Sequence, residues 1–419
     1  MNPVHPPFFD VRMKGFRDRA EVVAVVALLD ARTAPLPGES VSLLAAAGRV
    51  LAEAVTSPVD VPGFARAAMD GFAVHAEDTF GAEASNPLSL ELVGESMPGQ
   101  PFAGTVGRGQ AVRIMTGAPI PLGADAVLMA ESAELEAGRV LARDAVSPGR
   151  HVGRVGEDVA RGRVVLPAGR RLRPQDVGLL ASIGAGTVLA HRRPRVAILV
   201  TGNELLPPGS TPEGFKIVDS NSPMLTALVH RDGGECLPVQ YLPDEYARVR
   251  DAIQSADADV ILVSGGSSVG AEDHAPRAVA EVGELAIHGV ALRPASPLGV
   301  GFLRRETGTI PVFLLPGNPV SCLCAYDLFA GRVVRHQGGR TRDLPYRRVS
   351  CALTSKIVSA VGRVDYVRVK VEGDRATPIA VSGAAILSTT VTADGFVLVD
   401  RDREGHAPGD IVEVWLYEG

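Results

Sequence analysis

The sequence predicts a multidomain α/β plus β protein. A central three-layer α/β domain with a mostly parallel sheet is joined to a β-rich domain, a helical or mixed linker domain and a small C-terminal β-barrel-like domain. Three observations predict this. First, three apolar runs between residues 195 and 321 each end in a polar, Gly-rich loop. Residues 195–201 lead into Thr201-Gly-Asn-Glu-Leu205, residues 259–263 into Ser264-Gly-Gly-Ser-Ser-Val-Gly-Ala-Glu-Asp273, and residues 312–315 into Leu315-Pro-Gly-Asn-Pro-Val-Ser321. Short β-branched runs without alternation suit strands buried on both faces of a parallel sheet. Second, residues 61–149 carry short β-type runs broken by Gly and Pro. Third, Tyr366-Val-Arg-Val-Lys-Val371 and Ile411-Val-Glu-Val-Trp-Leu416 alternate, as in a small antiparallel domain with one wet face.

Taken in order, residues 1–10 contain Pro3, Pro6 and Pro7 and read as a loose arm. A helix is expected from near Asp18. Asp18 and Glu21 have capping-box spacing, and Val22, Val25, Val26 and Leu29 fall on one face. Pro35 and Pro37 lie beyond its end. A second helix is expected over residues 42–47, with Gly48 as its stop. Strands are expected over residues 88–93, 110–115, 126–129 and 140–142, with turns at Pro98-Gly99, Pro148-Gly149 and Pro167-Ala-Gly169. Residues 174–183 read as a helix with Pro at its start and Gly184 after it. In the α/β domain, helices are expected from Ser222-Pro223 to about Arg231, from Tyr246 to Ser255, and over residues 276–282. Loosening composition near residues 335–341 marks a boundary. The expected domains are a discontinuous linker (11–60 and 150–194), a β-rich domain (61–149), the α/β domain (195–340) and the C-terminal β domain (341–419).

The bulk composition narrows the function. The 419 residues allow two to four domains, and 46% hydrophobic with 21% charged residues is ordinary for a globular chain. A net charge of −6 gives nonspecific nucleic-acid binding no electrostatic support. No basic start precedes an apolar h-region, and no run approaches the roughly 20 apolar residues of a membrane span, so a cytoplasmic protein off the membrane is expected. Cys236, Cys322, Cys324 and Cys351 form no CxxC pair and read as buried thiols.

Ligands of open α/β sheets bind beyond the carboxyl ends of the strands. The Ser264–Gly270 stretch is the strongest local signal, because successive amides there can form a nest for phosphate or another oxyanion. It has no GK[ST] and no GxGxxG, which removes the common nucleoside triphosphatase and dehydrogenase patterns. Asp273 could ligate Mg²⁺ or cap the next helix. Glu204 could orient a ligand or sit in a surface turn, and Asp244 lies in a turn-like Leu-Pro-Asp-Glu. In the 315–321 loop, the prolines stiffen the chain and Gly317 and Asn318 can adopt positive φ. Asp70, Thr116 and Asp158 lie in three islands of the second domain: Arg66-Ala-Ala-Met-Asp-Gly-Phe-Ala73, Met115-Thr-Gly-Ala-Pro119 and Gly156-Glu-Asp158. No GxSxG nucleophile elbow is present.

Taken together, these islands resemble the molybdopterin molybdenumtransferase family, that of bacterial MoeA and the gephyrin E-domain. The matching motifs are residues 68–73, 115–118, 156–158, 201–205, 219–221 (Asp-Ser-Asn), 264–273 and 315–321, and they span nearly the whole chain. The resemblance implies a four-domain homodimer whose third domain binds molybdopterin. Its cleft faces the second domain of the other subunit. The substrates are adenylylated molybdopterin and molybdate. Molybdenum enters at the dithiolene, the pyrophosphate bond is split with Mg²⁺, and AMP leaves. The molybdopterin adenylyltransferase and molybdoenzyme chaperones would be partners. By motif position, Glu204, Asp244 and Asp273 are the acids around Mg²⁺ and pyrophosphate. The amides of Gly265, Gly266 and Ser267, with the Ser268 hydroxyl, are phosphate donors. Asp70, Thr116 and Asp158 act from the second domain. Asp219 and Asn221 belong to the site, and Pro316, Gly317, Asn318 and Pro319 shape its wall.

The resemblance also has departures. The family usually shows Lys-Pro-Gly-Lys-Pro after a further upstream Lys, where this chain has Arg293-Pro-Ala-Ser-Pro297 after Gly289. Arg293 keeps one charge, in keeping with only four Lys among the 42 basic residues. Gly289 and Ser296 replace the other two. Each lost, partly buried charge-assisted bond should weaken oxyanion binding by over about 1 kcal/mol. Ser267 stands where an apolar residue is usual, and Ala67 where Ser is usual. These departures leave an alternative: a non-catalytic molybdopterin or cofactor carrier of the same fold, a divergent paralogue.

Overall fold

The computed structural model describes residues 19–266, 274–306, 308–380 and 383–417. The chain forms two compact units, residues 1–39, 48–52 and 189–419 in one, and residues 40–47 and 53–188 in the other.

The first unit opens with α1 (Val22–Arg32), which buries Val25 and Leu29. It starts later than the expected Asp18, which lies outside the described residues. Glu21 is extended and makes no side-chain cap. Its carboxylate pairs with Arg401 instead, so an inter-element ion pair replaces the capping box.

The second unit is built on a six-stranded sheet of β1 (Gly71–Val74), β2 (Leu88–Ser96), β3 (Gln110–Ile114), β4 (Ala126–Met129), β5 (Ala133–Glu136) and β6 (Arg139–Ala142). Their order is β4-β1-β3-β2-β6-β5, and only β2 and β3 run parallel. Alternation puts Phe72 and Val74 in one core and Ala73 in another. Two short strands, Val55–Thr56 and Val164–Leu166, pair across the length of this unit. The helix expected over 42–47 is a single 3₁₀ turn, Leu43–Ala45. Leu44 is fully exposed there and of residues 42–47 only Ala46 is fully buried, too little apolar surface to hold a longer helix. Later, α2 (Pro174–Ser182) follows the sequence reading closely.

In the first unit, a seven-stranded mixed sheet forms the middle layer. Its strands are β7 (Arg195–Thr201), β10 (Glu235–Cys236), β11 (Gln240–Leu242), β12 (Val260–Ser264), β13 (Glu284–His288), β15 (Gly299–Arg305) and β16 (Gly308–Leu315). A small parallel pair, β8 (Leu205–Leu206) and β9 (Ile217–Val218), follows β7. The order is β10-β7-β12-β16-β15-β13, with β11 also on β7. The β7, β12 and β16 core is parallel, while β15 and β13 add antiparallel edges. Alternate residues of β7 face opposite ways. Val196, Ile198 and Val200 pack with α3 (Asn221–Asp232), α6 (Pro319–Ala325) and α7 (Gly331–Gln337), while Ala197 and Leu199 pack with α4 (Tyr246–Ser255) and α5 (Ala275–Val282). That is the three-layer arrangement.

A closed barrel completes this unit: β17 (Arg347–Leu353), β18 (Val364–Glu372), β19 (Arg375–Ala380), β20 (Gly395–Val399) and β21 (Ile411–Leu416). Closure comes from β18 pairing with both β19 and β20. The expected wet face is met by β21, where Ile411 and Glu413 are exposed while Val412 and Val414 are buried. Elsewhere the expectation is corrected: β17 and β19 are parallel, and β18 is buried on both faces from Asp365 to Val369. Val367 and Val369 fill the barrel, while Tyr366 stacks on Phe396 at 3.9 Å within the core shared with the α/β layers. The strand β14 (Leu292–Arg293) joins the barrel by pairing with β18, Arg293 opposite Asp365.

Candidate active site

Register fixes the site. Val200, Ser264 and Leu315 are neighbours on three adjacent parallel strands. The three loops singled out in the sequence therefore leave one edge of the sheet at the same level. Between them lies a cavity of about 610 Å³, lined by Thr201, Gly202, Glu204, Asp219, Asn221, Asp244, Ser264–Gly266 and Pro316–Pro319.

The first residue of α3 holds these loops together. Asn221 Nδ2 donates to Ser264 Oγ at 3.0 Å and to the Gly317 carbonyl at 2.8 Å. Asp219 is buried, and its carboxylate accepts from the Asn221 amide at 2.8 Å, the Tyr241 hydroxyl at 2.9 Å, and the Ser222 amide and hydroxyl. It caps α3 from one residue further out than usual and organises the wall. Asn221 Oδ1 and Thr201 Oγ1 are buried without a partner among the described residues. Asp244 Oδ2 accepts from the Asn203 amide at 2.9 Å, and the Asp244 amide donates back to Asn203 Oδ1 at 3.3 Å. This fastens the Glu204 loop to the Asp244 turn. Gly265 has φ +91°, and a Cβ there would lie 2.4 Å from the Thr201 carbonyl, so only glycine lets the backbone turn this tightly.

Other sequence expectations fare differently. Ser267, Ser268 and Asp273 lie outside the described residues. Neither Gly317 nor Asn318 takes a positive φ; Asn318 sits at −64° and its carbonyl accepts from the Cys322 amide, starting α6. Asp70 and Thr116 meet within the second unit: Asp70 Oδ1 accepts from the Thr116 amide and hydroxyl, each at 2.7 Å. Those bonds, the amide first, hold the Asp70 carboxyl below its usual range. Asp158 is exposed on the same unit. All four cysteines are free, and burial pushes the Cys322 thiol far up. No cluster of three His, Cys, Asp or Glu suited to a metal occurs among the described residues. Among those residues, no helix is long and apolar enough to cross a membrane.

Family models match along almost the whole chain. They are "MoeA N-terminal region (domain I and II)" over residues 20–184, "Probable molybdopterin binding domain" over 197–336 and "MoeA C-terminal region (domain IV)" over 351–417. The chain belongs to the MoeA family of molybdopterin molybdenumtransferases. It is similar to the molybdopterin molybdenumtransferase of Haemophilus influenzae, 33% identical over 389 residues that cover 91% of this chain and 94% of that one. Molybdopterin molybdenumtransferase 2 of Mycobacterium tuberculosis is 35% identical over 390 residues, covering 90% and 94%. The crystal structure of the molybdopterin biosynthesis MoeA protein from Pyrococcus horikosii matches the fold with a TM-score of 0.83 at 33% identity, over 96% of this chain and all of that one. The family is one of enzymes of molybdenum cofactor biosynthesis.

This MoeA chain has a second cavity, of about 650 Å³, which shares Pro297, Pro316 and Asn318 with the first. Arg19, Arg293, Ser296 and Arg363 are among its lining residues. Sequence reasoning kept Arg293 as one positive charge near the oxyanion. The structure adds its partner: Arg293 pairs with the buried carboxylate of Asp365. Arg363 lies against the same carboxylate at 3.1 Å, and Ser359 Oγ donates to it at 2.8 Å. Arg19 and Arg363 were missed because they lie far from every motif along the chain. Pairing of β14 with β18 is what brings residue 363 near residue 293.

Proposed function

We propose that this protein inserts molybdenum from molybdate into adenylylated molybdopterin, splitting the pyrophosphate bond with Mg²⁺ and releasing AMP. The observation that carries the reading is the register of Val200, Ser264 and Leu315, which supports a single site built from three loops of one sheet edge. The Gly265 and Gly266 amides, continued by Ser267 and the Ser268 hydroxyl, bind the phosphate oxygens. Asn221 keeps the surrounding loops in place, and Pro316 and Pro319 form a rigid wall. The adjoining second cavity takes the molybdate oxyanion, with Arg293, Arg363 and Ser296 as its groups.

Mg²⁺ commonly takes one or two carboxylates plus substrate phosphates. Glu204 and Asp244 fit that demand, since both line the first cavity and Glu204 is exposed toward solvent. Asp273 joins them by motif position. When bound, the ion would neutralise charge on the phosphate oxygens. Asp70, Thr116 and Asp158 serve the reaction on the same ground of motif position. The protein works as a cytoplasmic homodimer, and the adenylyltransferase and molybdoenzyme chaperones that handle the cofactor are its partners. Loss of basic residues at 289 and 296 favours a carrier, but the guanidiniums retained in the second cavity support catalysis. The test is substitution: Glu204→Gln and Asp244→Asn should each slow AMP release by about tenfold or more. Unchanged rates in both variants would remove these carboxylates from the reaction.

A further inference from the structure

Ser296 lines the second cavity with a neutral side chain, and Gly289, next to the lining residue Val290, has none. The cations of this cavity are not equally available. Arg293 and Arg363 share the single buried carboxylate of Asp365. That leaves one surplus positive charge between them. Arg19 also lines the cavity and is exposed, and it has no ion pair among the described residues.

The backbone explains why Arg19 is there. The Ala20 amide donates to the Gly289 carbonyl at 3.0 Å, and the Ala291 amide donates to the Ala20 carbonyl at 2.8 Å. The segment carrying Arg19 therefore runs beside Gly289 itself, where a basic side chain is missing. On the cavity wall, Ser296 Oγ is buried and has no hydrogen-bond partner among the described residues. A hydroxyl without a partner and an uncommitted guanidinium on the walls of one cavity suit an oxyanion: the hydroxyl gives one donor, and the guanidinium gives charge and a planar fork of N–H groups.

We infer that Arg19 is a substrate-positioning residue that supplies the oxyanion cavity with the positive charge absent at Gly289 and Ser296. The ligand class is a tetrahedral dianion such as molybdate. This rests on the reading of the second cavity as the oxyanion half of the site. Because Arg19 is exposed, its contribution is screened by salt and pays little desolvation.

Equilibrium dialysis of molybdate against the full-length protein tests this, at low and at physiological salt. Arg19→Ala should weaken molybdate binding about five- to tenfold at low salt, and less at higher salt. Arg19→Lys should keep most of the affinity. Adding Ser296→Lys to Arg19→Ala should restore binding, which a merely structural role for Arg19 does not predict. In AMP-release kinetics, Arg19→Ala should raise the KM for molybdate more than it lowers kcat. Binding by Arg19→Ala within twofold of the parent would overturn the role of Arg19 while leaving the cavity reading intact. A parent protein that binds phosphate but not millimolar molybdate would overturn the cavity reading, and the inference with it.

Discussion

Asn221→Ala probes how the site is held. The amide joins the start of α3, the end of β12 and the loop after β16 through two hydrogen bonds. Each is worth about 0.5–1.5 kcal/mol net, more where the abandoned partner stays dry. Ser264 is buried, whereas Gly317 is open to water. Its carbonyl can therefore rehydrate, and the Ser264 side carries most of the loss. A total near 2 kcal/mol follows from those two bonds. Trp415, the single tryptophan, lies in the barrel of the same unit and reports its unfolding by fluorescence. With a urea slope of about 3 kcal/mol/M, the midpoint should fall by roughly 0.7 M. AMP release should fall further, by about tenfold or more, because the three loops would lose their common alignment. Asn221→Asp keeps the shape but turns an acceptor toward the Gly317 carbonyl, so it should be at least as damaging. An unchanged midpoint together with an unchanged rate in Asn221→Ala would refute the reasoning.

Two further predictions concern stability. Asp176 is almost fully buried beside Arg173 and Arg170, and these guanidiniums, Arg173 first, hold its carboxyl well below the usual range. A depressed carboxyl stabilises the fold above its unfolded pKa, and the gain is lost as pH falls through the folded value. Asp176→Asn should therefore cost about 1–3 kcal/mol at neutral pH, and the gap between the two melting profiles should start to narrow only below about pH 4, where the unfolded carboxyl protonates, and close at strongly acidic pH. A gap that stays constant as pH falls well below about 4 would contradict the assignment. Asp365→Ala should cost about 3–5 kcal/mol in urea unfolding, since it strands Arg293 and Arg363 without their counter-ion. A loss under about 1 kcal/mol would mean that water already screens them.

Much of the fold was legible where periodicity and punctuation agree. The Arg195–Thr201 strand and the Tyr246–Ser255 helix form as read, because an apolar run or a four-residue spacing is met by clear ends. Local signals failed where the partner was remote. Glu21 has capping-box spacing, yet its carboxylate goes to Arg401. Residues 366–371 alternate like a half-wet strand, but the polar-looking face packs on the α/β layers, where Arg368 is buried. The first cavity was visible because its residues cluster in three loops that end three strands. The second was only half visible. Its charge comes from residues 19, 293 and 363, which no motif unites and only the β14–β18 pairing and the Ala20–Gly289 contact bring together.

The most direct measurement incubates the pure protein with adenylylated molybdopterin, molybdate and Mg²⁺ and follows AMP. Stoichiometric AMP release that depends on both molybdate and Mg²⁺ is the predicted result. Tight pterin binding with no AMP formed would contradict the transferase reading and leave a carrier of the same fold.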